Sequence, residues 1–471
     1  MKNLETTKKL RFSQALLVLI LVIGGLVSAI KFGVGIHIGL VIGCCIAILS
    51  SIILGNSWSN VQDNIAHVVG SSASTLLILI SVGMMVGVWI IGGTVPSLLY
   101  YGLKLCSPQI IVPLTFVLCA ITSVFTGTSY GAIATMGLAL FGVGVSMGIS
   151  APLMAGAVCS GSFFGDKMSP LSDTTNVAAD MSGTKLYDHI ASMLWTTVPA
   201  ALICIVLYTV LGLRSAAANA DLSSIKLMLV TLDGQFNISP LALLPALLVL
   251  VVSAKKVPAV PAMLGCTVVS VVFAICLQGA SVVDVLNAAM KGFSSNSGLD
   301  LVDKILSRGG MTSMFSTIAV IILSGTMGAS LESSGVINTL VSEGLLKKVK
   351  KPRGLILSTM LYSYTLLIIS GHQVMPIIMG GRTFKSAYEE LKIQTRVLSR
   401  TLEDTSTIAS PLVPWSASAA YINTVLGVGT AYIPFAFLGF IVPIIAIFYA
   451  FTGIAIWKSD SVAETTKEIT V

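Results

Sequence analysis

Nearly continuous apolar runs cover residues 12 to 30, 32 to 54 and 72 to 93. Each is long enough to cross about 30 Å of hydrocarbon at about 1.5 Å per residue, so the pattern predicts three membrane helices. Between the last two, Trp58 to Val69 sets Val61, Ile65 and Val68 against Asp63, Asn64 and His67, which suits an amphipathic helix lying in the interface. His67 reads there as an ordinary interfacial side chain. Residues 108 to 147 hold two apolar arms around Thr126 to Gly131 (TGTSYG), whose Gly and hydroxyl residues suit a break at membrane depth; two full spans and a re-entrant hairpin both fit. A broken segment follows at Gly161 to Ala179, then a plain span over 190 to 213 that ends at Arg214, and a polar linker to Asn237.

The second half repeats this outline. Runs at 238 to 254 and 257 to 279, joined by Lys255 and Lys256, answer the first pair joined by Lys31. Ser281 to Phe293 answers the amphipathic segment, and 311 to 345 answers 72 to 102. Residues 354 to 381, broken at Ser370 to Gln373 (SGHQ), answer the arms around TGTSYG. Residues 401 to 427 carry Ser410-Pro411-Leu412, which answers Ser169-Pro170-Leu171, and 432 to 457 is the closing span.

Composition fits this reading. The 471 residues are 55% hydrophobic and 10% charged, against roughly a quarter charged in soluble domains, which indicates a polytopic, all-α membrane protein. The net charge of +7 would suit nucleic acid, but the Lys and Arg residues cluster at the ends of apolar runs, where the positive-inside rule puts them. Eight Cys lie in or beside apolar runs with no Cys-x-x-Cys, and read as small buried residues rather than disulfides or a metal site. Lys2, Lys8, Lys9 and Arg11 imitate a signal peptide, yet no small-residue cleavage pattern precedes Lys31, so the first run is expected to stay as a span. With the N-terminus cytoplasmic, Lys255-Lys256, the KKVKKPR run at 347 to 353 and the segment Arg382 to Arg400 all fall inside, while Asp221 to Gln235 falls outside. Each half then has about five crossings plus a hairpin, an odd count that turns the second half upside down. The expectation is a single transporter domain over 1 to 457 made of two inverted repeats (about 12 to 214 and 238 to 457), in a plasma membrane, with both termini and the 458 to 471 tail cytoplasmic and the site where broken helices meet at the midplane.

The chemistry gathers in GSFFGDKMSPLSDTTNVAA, residues 161 to 179. A charge at bilayer depth costs several kcal/mol unless paired or solvated, so Asp166, Lys167 and Asp173 mark a working site. Gly165 and Pro170 are both expected to interrupt the helix, freeing carbonyls as ion ligands. Asp166 and Asp173 lead the candidates, with Ser169, Thr174, Thr175 and Asn176 supplying neutral oxygens of the kind a hard cation such as sodium prefers. The alternative for Asp166 is a pair with Lys167 or a helix cap. In the second half Glu403 and Asp404 are expected at the start of the broken segment, followed by Ser410, as ion or substrate ligands, or, with Arg396 and Arg400 upstream, with at least one of the two acids as a salt-bridged gate. Trp415 is a packing wedge or a gate. His372 faces, in the repeat, Thr128 and Ser129; it either carries protons or holds a substrate carboxylate. Glu332 is a buried carboxylate or the end of its helix.

The run Gly165 to Asn176 (GDKMSPLSDTTN) closely resembles the signature of the NhaC family of sodium/proton antiporters, and Leu398 to Trp415 (LSRTLEDTSTIASPLVPW) is a second family-like block. The resemblance implies a secondary transporter coupling sodium to protons or to an organic acid, since relatives include a malate/lactate antiporter. There is no Walker loop and no His-Glu-x-x-His, so neither an enzyme nor a bound cofactor is expected. The first reading is sodium/proton antiport, the two ions competing for Asp173 or Asp166. The second is exchange of a small carboxylate facing His372 and Arg382. A passive channel is a third reading, which the proline breaks and the repeat argue against. The implied partners are sodium ions, protons and the lipid bilayer, with a homodimer left open.

Overall fold

The computed structural model describes residues 10–219, 222–255, 257–337, 339–340 and 351–459, and these are almost wholly helical. Lys256, residues 341–350, Asp221 and the 460–471 tail, on which several topology expectations fall, lie outside the described residues. In chain order the α-helices are α1 (Phe12–Lys31), α2 (Ile36–Ile53), α3 (Trp58–Ser71), α4 (Ala73–Ile91), α5 (Thr94–Leu105), α6 (Ile111–Thr126), α7 (Ser129–Ser146, with a π-turn at Ile133–Gly137), α8 (Ala151–Met168), α9 (Asp173–Ser182), α10 (Leu186–Asn219) and α11 (Leu222–Gln235). They continue as α12 (Leu244–Ala254), α13 (Ala259–Gln278), α14 (Val282–Lys291), α15 (Asp300–Leu306), α16 (Phe315–Ser333), α17 (Pro352–Ser370), α18 (Val374–Glu390), α19 (Thr395–Thr405), α20 (Ala417–Leu426) and α21 (Phe437–Thr452). Among the described residues, seven helices are long and apolar enough to cross a membrane, or up to nine if two bent pairs each count as one span. Large apolar side chains such as Leu17, Ile53, Val206 and Phe451 are exposed, the outward face that a lipid solvent permits and water does not. This is a multi-pass membrane protein.

The segment expected as a polar linker differs from its reading. It is helical on both sides of the undescribed residues, and in α11 Met228 and Leu232, one turn apart, are buried in the core. Helix α3 forms as the amphipathic pattern predicts, bent 41° from α4, and Asn64 ties it to α16 by donating to the Ala329 carbonyl at 2.9 Å.

Two hairpins position the site. Helix α8 runs parallel to α6, with Ser123 donating to the Ser162 carbonyl and Ser169 to the Val124 carbonyl. It runs antiparallel to α7, where Ser129 meets Asp166 and Gly144 faces Met154. Hence α6 and α7 fold back on each other with TGTSYG at their tip, an arrangement common to two full spans and a re-entrant hairpin. Close approach requires glycine here. A Cβ on Gly165 would strike the Ala120 carbonyl, and one on Gly161 the Phe116 carbonyl. Gly165 therefore does not break its helix, contrary to expectation; it stays helical so that α8 can lie against α6, and the break comes only at Ser169–Ser172. In the second hairpin, Tyr388 donates to Thr359 at 3.3 Å and Tyr362 packs on Phe384 at 5.3 Å, so α17 and α18 are antiparallel with SGHQ at their tip. Both tips turn on a left-handed glycine, Gly127 at φ 69° and Gly371 at φ 62°.

Candidate cation site

The hairpin tips and the Ser169–Ser172 break enclose one cavity of about 310 Å³. Thr128 and Ser129 reach it from the first tip, His372 and Gln373 from the second, and Asp166, Ser172, Asp173 and Thr174 from the two sides of the break. Gly127 packs so closely on Leu171 that an added Cβ would stand 2.7 Å from the leucine Cβ. Among the described residues no Lys or Arg lines this cavity, so its charge is carboxylate.

Asp166 lies in the last turn of α8, 4% exposed, and each of its oxygens accepts one hydroxyl: Ser172 donates to Oδ1 and Ser129 to Oδ2, both at 2.7 Å. Asp173 opens α9 at its N-terminus, where the helix dipole favours a carboxylate, and its side chain is exposed to the cavity. The Thr174 hydroxyl lies 3.1 Å from Ser172 Oγ, which gathers neutral oxygens between the two acids. This donor set of carboxylates and hydroxyls suits a hard monovalent cation better than a soft metal.

Of the remaining candidates, Ser169, Thr175, Asn176, Ser410 and Trp415 do not line the cavity. Ser169 donates to the Val124 carbonyl, Thr175 to the Lys167 carbonyl at 3.0 Å, and Asn176 to the carbonyls of Pro170 and Ser172 at 3.0 and 2.8 Å. These side chains satisfy the backbone freed by the break, as buried carbonyls require. Ser410 is bonded to Ser418 at 2.7 Å, and the Trp415 indole donates to the Ile368 carbonyl at 2.6 Å, tying the second break to the second hairpin. His372 does line the cavity, and its Nδ1 accepts from the Val374 amide at 3.3 Å. Arg382 is exposed and does not line it, and Glu332 sits in the last turn of α16 as the end-of-helix reading has it.

Glu403 and Asp404 depart from expectation. They close α19 rather than start a helix, so they stand at the end where the dipole disfavours carboxylates. Their compensation comes from the other half: fully buried Lys167 pairs with Asp404, not with its neighbour Asp166. Thr196 donates to the same Asp404 oxygen at 2.9 Å, and Arg400 Nε stands 4.0 Å from the other. Glu403 is fully buried, and neither of its oxygens has a hydrogen-bond partner. The reading of the residues missed Ser172, Thr196 and His189. Ser172 carried a signal, since it lies six residues from Asp166 inside the motif; the other two lie on a long apolar helix where nothing local marks them.

A family model described as "Na+/H+ antiporter family" matches residues 161–454, which take in both breaks and the second hairpin. The chain belongs to the Na+/H+ antiporter family. It is 37% identical over 429 residues to the Na(+)/H(+) antiporter NhaC of Alkalihalophilus pseudofirmus, covering 91% of this chain and 92% of the relative. It is 36% identical over 427 residues to the malate-2H(+)/Na(+)-lactate antiporter of Bacillus subtilis, covering 90% and 91%. The arginine/ornithine antiporter ArcD of Halobacterium salinarum is 32% identical over 410 residues, covering 86% of this chain and 84% of the relative. These relatives are transporters, and family membership makes sodium/proton antiport the starting point for the site.

Proposed function

We propose that this antiporter-family chain exchanges sodium for protons by alternating access, the two ions competing for the Asp166–Asp173 site. The observation that carries the reading is the cavity itself: two carboxylates and the Ser129, Ser172 and Thr174 hydroxyls converge where both hairpin tips meet the break, with no Lys or Arg among its described lining. A proton neutralises a carboxylate and a sodium ion needs it charged, so one site exchanges the two without holding both. In this reading the α6–α7 and α17–α18 hairpins and the breaks at Ser169–Ser172 and Ser410–Leu412 are corresponding parts of two inverted repeats that meet at the membrane midplane. Both termini then lie on the cytoplasmic side of a plasma membrane. Protein reconstituted in vesicles should take up labelled sodium against an outward proton gradient, saturably and with counter-exchange; non-saturating flux would mean a channel.

A second reading, exchange of a small carboxylate, is favoured by the size of the cavity, which exceeds what one ion fills, and by His372 and Gln373 on its wall. The name of the Bacillus subtilis malate/lactate relative agrees with it. The exposed position of Arg382 and the acidic lining favour the cation reading. Stimulation of sodium flux by malate or lactate would decide for the second.

A further inference from the structure

Away from the cavity, a second concentration of buried polar groups lies between α10 and α19. The two helices run side by side in one direction. Asp188 and Arg396, near their starts, line a polar pocket of about 800 Å³, and further along Thr196 donates to Asp404. Eight residues separate 188 from 196, as they do 396 from 404, a distance of about 12 Å at about 1.5 Å per residue. Between these ends His189 and Ser192 are fully buried, at 0% exposure, and neither ring nitrogen of His189 nor Ser192 Oγ has a hydrogen-bond partner. Arg400 Nε and Asp404 Oδ2 on the facing helix have only each other, as an ion pair at 4.0 Å. Each such group costs about 1–3 kcal/mol when sealed in protein, and native interiors hold few. Buried donors and acceptors left open in this way are completed by hydrogen-bonding guests such as water.

We propose that this seam is a proton route, distinct from the sodium path through the cation cavity, that links the pocket at Asp188 and Arg396 to the Lys167–Asp404 pair, one residue from Asp166 of the shared site, with His189 as its narrow point. The inference rests on the sodium/proton reading above. Asp188, His189, Ser192, Arg396 and Arg400 do not line the cation cavity. Asp166 and Lys167 are neighbours in sequence yet serve different compartments, the first facing the cavity and the second the seam. Sodium needs a cage of oxygens around a free carboxylate, and here Asp404 is already held by Lys167, Arg400 and Thr196. A proton needs only a chain of groups that both donate and accept, which a hydroxyl, an imidazole and water supply. The charged groups facing His189 are Lys167 from α8 and Arg400 from α19, with Glu403 and Asp404 beyond them on α19.

The test compares two transport modes of the full-length protein in vesicles: sodium/proton exchange, and sodium/sodium counterflow, which moves no proton. His189→Leu and Ser192→Val each place apolar bulk in the seam. Both should slow sodium/proton exchange at least tenfold while counterflow, which also reports correct folding, stays within twofold of the unaltered protein. His189→Gln keeps hydrogen-bonding capacity and should retain most of the exchange. Loss of both modes in parallel across these variants, or unchanged sodium/proton exchange in the Leu and Val variants, would overturn the inference. An unaltered protein that shows neither mode would overturn the antiport reading, and the seam with it.

Discussion

Asp166 is held by two hydroxyls, while Asp173, seven residues on, opens to the cavity from a helix N-terminus. In the proposed mechanism Asp173 is the acid that an arriving ion meets first. Asp173→Asn keeps the shape and removes the exchangeable charge, so coupled exchange should vanish with the fold intact. Asp173→Glu keeps the charge and moves it by one methylene, and should leave weak exchange with a shifted pH optimum; flux measured across a pH series checks both. Lys167 makes a different kind of prediction. Its removal leaves Asp404 buried with less compensation, and breaking a buried pair from one side costs about 3–5 kcal/mol. Lys167→Met should therefore lower the thermal midpoint sharply, and Lys167→Met with Asp404→Leu should recover most of the loss. A double variant no more stable than the single one would show that the pair is not what Lys167 supplies.

At the scale of elements, the hairpins depend on glycines that leave no room for a side chain. Gly127→Ala would impose an L-residue at φ 69° and drive its Cβ against Leu171, so it should displace the first tip from the cavity. We expect loss of transport and a destabilisation of about 1–3 kcal/mol, read by thermal unfolding in detergent. Much of this level was legible in the chain. The apolar runs at 12 to 30, 32 to 54 and 72 to 93 became α1, α2 and α4, and both breaks fell at TGTSYG and SGHQ, because length and glycine placement are local signals. The packing of the arms was not legible, since nothing local in two apolar arms says that α6 lies parallel to α8 and α7 antiparallel to it. The last turn of α19 was misread for a related reason: Glu403 and Asp404 look like helix-starting acids until Lys167, more than two hundred residues away, is brought beside Asp404.

For the whole molecule, the exposed claims are orientation and coupling. If the two halves are inverted, single cysteines near residue 390 and at the N-terminus should react with an impermeant thiol reagent only from the cytoplasmic face, and one near Asn237 only from outside. Label reaching residue 390 from outside alone would sink the inverted arrangement. The residues lining the cavity come from segments between Thr75 and Ala417, so the site exists only in the folded chain; its acids were visible in sequence while their shared cavity was not. The central claim, that sodium and protons compete for one carboxylate site, is tested most directly by adding sodium to the purified protein in weakly buffered solution and measuring proton release. The account predicts saturable release, larger at a pH where the site is still protonated, and its loss in Asp173→Asn. Undiminished release from Asp173→Asn, together with normal transport, would contradict it.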